Sequence, residues 1–573
     1  MKRNLLLALV FVATSAVAQF TNDPALNSIV RDSSGPEEVV PICALNPQYG
    51  TTYVSWFNQN GMGSYDFSMQ ALDNFGYHAF QPSSLTVSNF PQNSAIFVYD
   101  TKVDNTNSMV SAFQDERSGV LDVVAYRVDQ SGNFQWGSSG ISLKDSAASG
   151  GIAPNVGILP SNDAVIAWIA DGSPKDWISI RKISPAGNFL WASQIRIIDS
   201  TGVASFSRPQ IVPMLNDDFM ILYVRQTGSG LPASAMYMQR YDASGNPVWA
   251  SPVAVSSKLI GFAAYPSVVP DGNNGAYIAY SSGNPSNPSM NDVYVQHIDG
   301  NGNLWSVDGT EACTSTLTHR MSPKIRFENG MANPMVLIKE TDAAQGSSGV
   351  TIQSFDASGN RLLGPDGFAV TPITALYDEP YDMRAETDGM IILYAEGTFG
   401  NQQLLATKVN FTGTSVWTPA TTVVSSVVSN KSRAQLTPVF SIIDLSNQIV
   451  AVWEDDRQDV GVYAQNINYD GTLGIQVNIS SPDRQQLNAV VFPNPSGSNS
   501  FLKINSTTLD EVTATMYDAT GRVIGAPAFL SLTSGTNEFK VNEIFRHSNL
   551  ASGIYSIDIK GEKTAGRVQM VVE

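Results

Sequence analysis

Two short segments of the chain place carboxylates and a guanidinium group within two positions of each other. Asp115 precedes Arg117, and Asp455 precedes Arg457, in both cases directly after an apolar run. These four residues are candidates to form a charged rim that faces a ligand. The same spacing also fits a local ion pair that holds a hairpin together, and such a pair, when exposed, stabilises by at most about 1 kcal/mol.

A third segment is similar to the beginning of a calcium-binding loop. Asp299, Asn301 and Asn303 alternate with glycines, as the first ligands of a helix–loop–helix calcium site do. The position where that loop needs an acid holds Thr310, and the same turn recurs from Asp242 onward. A hairpin turn that is capped by its aspartate therefore explains the pattern better than a calcium site does.

Motifs of the common catalytic chemistries do not occur in the sequence. It holds no G-x-S-x-G nucleophile elbow, no Walker loop and no H-E-x-x-H helix. Asp455 and Asp456 are adjacent, so a strand would point them to opposite faces, which does not suit a glycosidase pair. The histidines have no metal-ligand spacing and are His78, His297, His319 and His547. We predict no catalytic residue, no metal site and no cofactor, while a catalytic pair from distant segments stays open.

All these candidates lie in a chain that repeats itself with a period of about 56 residues. Each copy has four strand-like pieces and turns at a glycine three positions after Asp, Asn or Ser. The turns are at Gly76, Gly132, Gly187, Gly245, Gly302, Gly359, Gly413 and Gly471. The fourth piece usually carries a tryptophan, as at Trp136, Trp191, Trp249, Trp305 and Trp417. We expect these aromatic side chains to pack between neighbouring copies rather than to stack on sugars.

Four antiparallel strands in each copy predict an all-β fold, an eight-bladed β-propeller over residues 38–481. Seven blades with an irregular edge stay open, because the first copy lacks the tryptophan and the last one ends differently. Separate β-sandwiches are disfavoured, since one sandwich needs about 100 residues.

The net charge of the chain disfavours one class of partner, and the positions of its cysteines indicate whether a disulfide forms. The net charge is −18 and the pI is about 4.6, so the protein repels phosphate backbones and we expect no nucleic-acid partner. Cys43 and Cys313 lie in distant copies, which favours two buried free thiols over a disulfide.

The N-terminus has the pattern of a secretory signal peptide. Charged Lys2 and Arg3 precede a short apolar run, and small residues precede a cleavage site between Ala18 and Gln19. No apolar stretch is long enough to span a bilayer. Residues 1–18 are therefore predicted to be removed, and residues 19–37 to form a poorly ordered leader.

Residues 482–573 contain no copy of the repeat and alternate as short strands, which predicts a small β-sandwich. Their motifs read F-P-N-P, then Y-D-A-T-G-R, then L-A-S-G-I-Y, and finally a basic residue before the last apolar strand. The segment resembles the C-terminal sorting domain of the type IX secretion system. The matching residues are Pro493, Asn494, Pro495, Gly521, Arg522, Gly553, Tyr555 and Arg567. The resemblance implies recognition by that secretion machinery and transfer across the outer membrane of a Gram-negative bacterium, to the cell surface or the medium.

The sorting segment is an address, so the activity must come from the repeats. Three hypotheses remain. The first is a binding or adhesion module for a glycan or a protein, which the many similar units and the lack of catalytic motifs favour. The second is a polysaccharide hydrolase or lyase whose site is built across several repeats. The third is a structural spacer without a ligand.

Overall fold

The computed structural model describes residues 19–60, 63–81, 83–93, 98–228, 233–261, 265–284, 287, 289–328, 330–438, 447–475, 485–497, 499–545, 550–561 and 563–573. The chain divides into two compact units, Met1–Ile475 and Gln476–Glu573. The predicted signal peptide at 1–18 and the predicted boundary after residue 481 lie outside the described residues. No helix of the described part is long and apolar enough to cross a membrane.

The first unit begins with β1 (Ser28–Arg31) and continues with antiparallel four-stranded sheets in chain order. Sheet 1 is β2 (Glu38–Leu45), β3 (Thr52–Gln59), β4 (Tyr65–Leu72) and β5 (Leu85–Gln92). Sheet 2 is β6 (Asp100–Val103), β7 (Met109–Asp115), β8 (Asp122–Val128) and β9 (Ile141–Ser142). Sheet 3 is β10 (Gly150–Ile158), β11 (Ala164–Asp171), β12 (Trp177–Ile183) and β13 (Ile195–Ile197). Sheet 4 is β14 (Ala204–Pro213), β15 (Phe219–Thr227), β16 (Ala233–Tyr241) and β17 (Val253–Ala254), with a 3-10 turn at Leu215–Asp217.

Two further separate sheets precede a wider one. Sheet 5 is β18 (Ser267–Pro270), β19 (Ala276–Gly283), β20 (Asn291–Ile298) and β21 (Thr310–Glu311). Sheet 6 is β22 (Thr318–Arg326), β23 (Met335–Asp342), β24 (Ser348–Ser354) and β25 (Phe368–Thr374). The wider sheet has seven strands, namely β26 (Glu379–Glu386), β27 (Gly389–Thr398), β28 (Asn401–Val409), β29 (Thr421–Leu436), β30 (Gln448–Asp456), β31 (Val460–Asn468) and β1. The start of β29 pairs with β28 and its end with β30, so β29 joins two four-stranded sheets, here sheet 7 (β26–β29) and sheet 8 (β29–β31 with β1).

Proline marks the first strand of several sheets, but in some it lies inside the strand rather than at its start. Pro154 lies in β10 and Pro209 in β14, each directly after a bulge residue in the left-handed region, Ala153 (φ 50°) and Arg208 (φ 54°). In β22 the bulge residue is Ser322 (φ 53°). The bulge interrupts the ladder, so the missing N–H of proline costs no hydrogen bond there.

The sheets pack face to face through eight apolar clusters. Seven of these clusters each combine two sheets that are consecutive in the chain. In one of them, Phe67 of sheet 1 and Phe113 of sheet 2 stack with ring centroids 4.0 Å apart. The remaining cluster combines Val452 of sheet 8 with Trp56 of sheet 1. The sheets of the first unit therefore follow one another in a closed circuit, and the predicted all-β class of repeated four-stranded units is confirmed.

The prediction of a poorly ordered leader at 19–37 is wrong. Strand β1 pairs antiparallel with β31, Ser28 facing Ala464, and Phe20 is 2% exposed in the cluster between sheets 8 and 1. In the part that the structure describes, the last copy has three strands of its own, so its edge would stay unpaired. The N-terminal segment supplies the fourth strand and is ordered for that reason.

The second unit contains two sheets that enclose one apolar core. The five-stranded sheet is β32 (Gln485–Gln486), β35 (Asp510–Tyr517), β36 (Ala528–Leu532), β38 (Gly553–Gly561) and β39 (Thr564–Val572). The three-stranded sheet is β33 (Asn488–Phe492), β34 (Phe501–Ser506) and β37 (Gly535–Lys540), followed by the one-turn helix α1 (Val541–Ile544).

Candidate functional site

An aromatic ring covers the turn glycine of the next sheet at each of eight seams. Trp191 stands about 3.0 Å from where a Cβ would lie on Gly245, and its indole N–H donates to the Ala243 carbonyl (3.4 Å). The eight pairs are Phe20–Gly76, Phe80–Gly132, Trp136–Gly187, Trp191–Gly245, Trp249–Gly302, Trp305–Gly359, Phe368–Gly413 and Trp417–Gly471. Each of these rings packs against the neighbouring sheet, which agrees with the predicted packing role and not with sugar stacking.

The calcium-like turn is held by its own backbone. The Asp299 carboxylate accepts the main-chain N–H groups of Asn301 and Asn303, both at 2.8 Å, and Gly302 has a φ of 89°. Burial raises the pKa of Asp299, but the hydrogen bonds from Asn303 and the turn lower it below its ordinary value. The carboxylate therefore caps a hairpin, as predicted.

The histidines occupy separate places in the part of the chain that the structure covers. His297 Nε2 is 2.8 Å from Asp271 within sheet 5, and His319 Nδ1 accepts the N–H of Asn291. Burial lowers the pKa of His78, and His547 lies outside the described residues. No group of three or more potential metal ligands occurs among the residues that could be searched.

The first charged candidate pair lies within its own hairpin. Asp115 is 1% exposed, and Arg117 donates to both of its carboxylate oxygens, at 2.8 and 2.6 Å. The guanidinium also lies 4.6 Å from the ring centroid of Phe90 and donates to the Tyr126 hydroxyl (3.1 Å). This geometry favours the hairpin interpretation over a ligand-facing rim.

The second candidate pair is more deeply enclosed. Asp455 is fully buried and accepts hydrogen bonds from Lys431 (2.9 Å), Arg457 (2.6 Å) and the Trp453 indole (2.8 Å). Burial raises the pKa of Asp455, but Arg457 and Lys431 together lower it below its ordinary value. Arg457 also donates to Asn27 Oδ1 (3.1 Å) of the N-terminal segment. The pair therefore anchors the segment that completes sheet 8.

Sequence reasoning missed a set of equivalent residues, all but one of them polar, on the first strand of each sheet. The main-chain N–H of Val156 donates to Asp100 (3.0 Å), and that of Ile211 donates to Asn155 (2.7 Å). The same register continues through the remaining sheets, and the Cys43 N–H finally donates to Gln435 (3.3 Å). We call these the ring positions; they are Ile42, Asp100, Asn155, Gln210, Ser267, Lys324, Asp382 and Gln435.

The ring positions lie around one axis, because the first strand of each sheet contacts that of the next and the last contacts the first. Gln210 Nε2 donates to Pro266 O (3.0 Å), the Ile325 N–H donates to Ser267 (3.1 Å), and the Leu436 N–H donates to Asp382 (3.1 Å). We therefore call the first strands, with residues 430–436 of β29, the inner strands. The signal is present in the sequence as a spacing of 53–58 residues, but the residue types at these positions differ too much to reveal it.

Each carboxylate on the inner strands has a cationic partner. Asp100 pairs with Lys102 at 2.5 Å, and Asp382 pairs with Arg326 and, at 3.6 Å, with Arg384. The other pairs are Glu38–Arg31, Glu379–Lys339 and Glu386–Lys408. A glycosidase needs two carboxyl groups free to act on one bond, and the inner strands offer no such pair among the described residues.

The inner strands carry more positive than negative charge, unlike the rest of the protein. Their eight cations are Lys102, Arg208, Arg320, Lys324, Arg326, Arg384, Lys431 and Arg433, against five carboxylates. The whole chain has 33 Lys and Arg against 51 Asp and Glu. Lys324 is exposed and has no carboxylate within 4.0 Å among the described residues. Although the Lys324 side chain reaches solvent, the protein atoms around it displace part of its water and lower its pKa. Asp382 raises this pKa, and Arg326 and Arg384 lower it further.

Two clefts open beside this ring and between its sheets. A cleft of about 400 Å³ lies where four consecutive inner strands end, with apolar walls that include Leu159, Pro160 and Pro213. A second, of about 300 Å³, lies between sheets 3 and 4 and includes Tyr237 and Arg225. Both volumes are at the small end for ligand pockets.

In the second unit, the first sorting motif contacts the strand that carries the last one. Asn494 of the F-P-N-P motif accepts the N–H of Val571 (2.8 Å) and donates to Gln569 O (3.3 Å) in the last strand. Pro493 O accepts the Ser500 hydroxyl (3.1 Å), and Pro495 follows in the same segment. The first and last motifs therefore form one structural joint.

The middle motifs shape turns and strand ends. Gly521 has a φ of 86° in a turn whose Asp518 carboxylate accepts the Arg522 N–H (3.1 Å). Gly553 begins β38, where the Tyr555 hydroxyl donates to Ala551 O (2.8 Å). Arg567 in β39 makes a two-pronged pair with Asp558 of β38, one bond at 2.7 Å.

Residues 490–573 match the family described as "Secretion system C-terminal sorting domain". They form a type IX sorting domain. The predicted resemblance is thus confirmed on the residues described above, and this domain places the protein among secreted or cell-surface proteins of Gram-negative bacteria. Recognition of the domain by the type IX secretion machinery follows from the same match.

Solved structures similar to the chain have diverse activities. They include a Penicillium chrysogenum alpha-L-arabinanase (15% identity, 56% of this chain and 94% of that one, TM-score 0.33). A Pyrococcus horikoshii acylaminoacyl peptidase has 10% identity, 74% and 57% coverage and a TM-score of 0.36. The polysaccharide lyase Uly1 has 10% identity, 77% and 91% coverage and a TM-score of 0.36. Such low scores carry no inference of activity, and no curated protein matches the chain.

Proposed function

We propose that the first unit is an eight-bladed β-propeller that acts as a binding or adhesion module for a glycan or a protein. The eight clusters between consecutive sheets and the eight aromatic–glycine pairs support eight blades over seven. Ring closure by the N-terminal strand is typical of a propeller, because it leaves no sheet edge unpaired. On this proposal residues 38–481 carry the propeller, with residues 20–31 completing the last blade.

Binding is favoured over hydrolysis by one observation above all, the neutralisation of the inner-strand carboxylates. Asp382 is held by Arg326 and two main-chain N–H groups, so it has little capacity left to act as acid or base. The groups that remain available on the axis are amides, hydroxyls and cations, such as Gln210, Ser267 and Lys324. These groups suit recognition of a polar ligand without chemical change.

The second unit is proposed to be a small β-sandwich, because two sheets enclose one core. Its sorting role implies that the propeller works outside the cell, either attached to the surface or released. Deletion of residues 482–573 should leave the protein in the periplasm. Unchanged surface display after that deletion would contradict the address role.

The binding proposal can be tested on the mature protein, residues 19–573. A glycan array and a pull-down from the extracellular medium should show saturable binding, and chromatography of any bound polysaccharide should show no shortened products. Product formation would instead favour the hydrolase or lyase alternative. Absence of every ligand in both assays would favour a structural spacer.

A further inference from the structure

One arc of the ring carries cations and no carboxylate on its inner strands. Sheet 8 also has two inner cations and no inner acid, but Lys431 and Arg433 are both ion-paired, whereas Lys324 of the arc has no ion pair among the described residues. The inner strands of sheets 4, 5 and 6 (β14, β18 and β22) contain no Asp or Glu. The inner-strand acids lie instead on sheets 1, 2 and 7. In a chain of net charge −18, this arc is a local reversal of the electrostatic field, and such reversals attract anions.

The side chains of this arc form a built surface. Three consecutive ring positions, each with the residue two places before it, make up this surface. We call it the basic arc; its residues are Arg208, Gln210, Tyr265, Ser267, Ser322 and Lys324. Arg208 lies over the ring of Tyr265, 4.2 Å from its centroid, and Tyr265 remains 60% exposed. The bulges at Arg208 and Ser322 turn these side chains away from the regular alternation of their strands.

Three polar groups of the basic arc have no partner among the described residues. Gln210 uses its amide N–H on Pro266 O, and Ser267 accepts the Ile325 N–H. The Gln210 Oε1 and the Ser267 hydroxyl proton have no partner among the hydrogen bonds of the described residues, and Lys324 has no ion pair there. A ligand that carries hydroxyl groups next to one negative charge would satisfy all three groups.

We propose that the basic arc binds a saccharide that carries a carboxylate, with Lys324 and Arg208 on the carboxylate, Ser267 and Gln210 on hydroxyl groups, and Tyr265 against the sugar face. The inference rests on the proposed binding function and specifies its ligand. Burial of an exposed aromatic face against a sugar ring adds apolar contact, and the two cations add charge-assisted hydrogen bonds, which are about twice as strong as neutral ones.

Calorimetric titration of the mature protein tests the proposal. The probes are oligomers of galacturonic, glucuronic and mannuronic acid, each beside its methyl ester, which keeps the sugar and removes the charge. We expect at least one acid oligomer to bind, its ester to bind about tenfold more weakly or not at all, and the affinity to fall as salt is raised. Equal binding of acid and ester would overturn the proposal.

Lys324→Gln and Lys144→Gln remove the same charge in different places. Lys144 is an exposed residue in the loop after β9, outside the arc, so only Lys324→Gln should weaken binding, by about tenfold. The unfolding temperature should stay unchanged, because Lys324 has no ion pair to lose among the described residues. Arg208→Gln should weaken binding as well. Unchanged affinity of Lys324→Gln would place the site elsewhere and overturn the inference while the binding function stands. Binding of no acid oligomer would overturn the inference alone if the glycan array still finds a ligand, and both proposals if it does not.

Discussion

The ring of Phe20 packs onto Gly76, with its carbons about 3.0 Å from where a Cβ would stand, and the Phe20 N–H donates to Phe75 O at 3.0 Å. At the other seven seams the covering ring belongs to the preceding copy of the repeat. The last copy ends without one, and Phe20 supplies it from the opposite end of the chain. The N-terminal segment that contains Phe20 and β1 is thus the final part of the last sheet.

Phe20→Ala should therefore weaken the packing between sheets 8 and 1 and lower the free energy of unfolding. Removal of a fully buried phenylalanine costs about 3–5 kcal/mol through lost burial and the cavity left behind. Urea unfolding followed by tryptophan fluorescence would measure the loss. Leu26→Ala is the matched control, because Leu26 belongs to the same segment and is 61% exposed; an equal loss in both variants would argue against a specific closure.

Asp455→Asn tests the anchor of the same segment. The substitution leaves Lys431 buried without its carboxylate partner, and breaking a buried pair in this way costs about 3–5 kcal/mol. The neighbouring Asp456 is exposed, so Asp456→Asn should change the free energy of unfolding by less than about 0.5 kcal/mol. If the ligand-facing interpretation held instead, Asp455→Asn would reduce binding and leave stability intact.

A carboxyl pair on sheet 5, Asp292 and Glu311, should make stability depend on pH. Burial raises the pKa of Asp292 to about 7 from an ordinary 3.8, Arg320 lowers it, and Glu311 raises it again. The folded protein therefore holds a proton that the unfolded chain releases, so this contribution is full below pH 3.8 and is lost as the pH rises through about 7.

Glu311→Gln removes the repulsion and keeps the hydrogen bond that Asn284 donates at 3.2 Å. Relative to the natural protein, the variant should gain free energy of unfolding at about pH 8 and gain little at about pH 4, as measured by urea titration at both values. Glu116→Gln, which alters a surface hydrogen bond with Asn93, should show no such pH dependence. A gain of equal size at both pH values would contradict the shared-proton explanation.

Asn494→Ala should loosen the joint between the first and last motifs of the sorting domain. Two hydrogen bonds to the final strand are lost, at about 0.5–1.5 kcal/mol each. Limited proteolysis would show faster release of the C-terminal strand, and fractionation would show more protein retained in the periplasm. The exposed Asn499 provides the control substitution, Asn499→Ala; retention without any change in proteolysis would mean that Asn494 contacts the secretion machinery directly.

Much of the fold could be predicted because its signals are local. The turn at Asp299 and Gly302 requires a capping side chain and a residue that tolerates a positive φ, and every copy supplies Asp, Asn or Ser with a glycine three positions later. The four sorting motifs were visible in the same way. The order of the leader cannot be predicted in this way, because β1 has no periodicity of its own and its partner Ala464 lies more than 400 positions away.

The sequence by itself determined the repeated four-stranded unit and the sorting address, since each depends on residues close together in one copy or one motif. Only the tertiary structure decided which residues meet on the axis. Gln210, Ser267 and Lys324 share no residue type, and they are brought side by side because the inner strands of successive sheets keep one register around the ring. It also decided that Asp455 serves stability, because the buried Lys431 that pairs with it lies opposite on β29, outside the hairpin that holds Asp455 and Arg457.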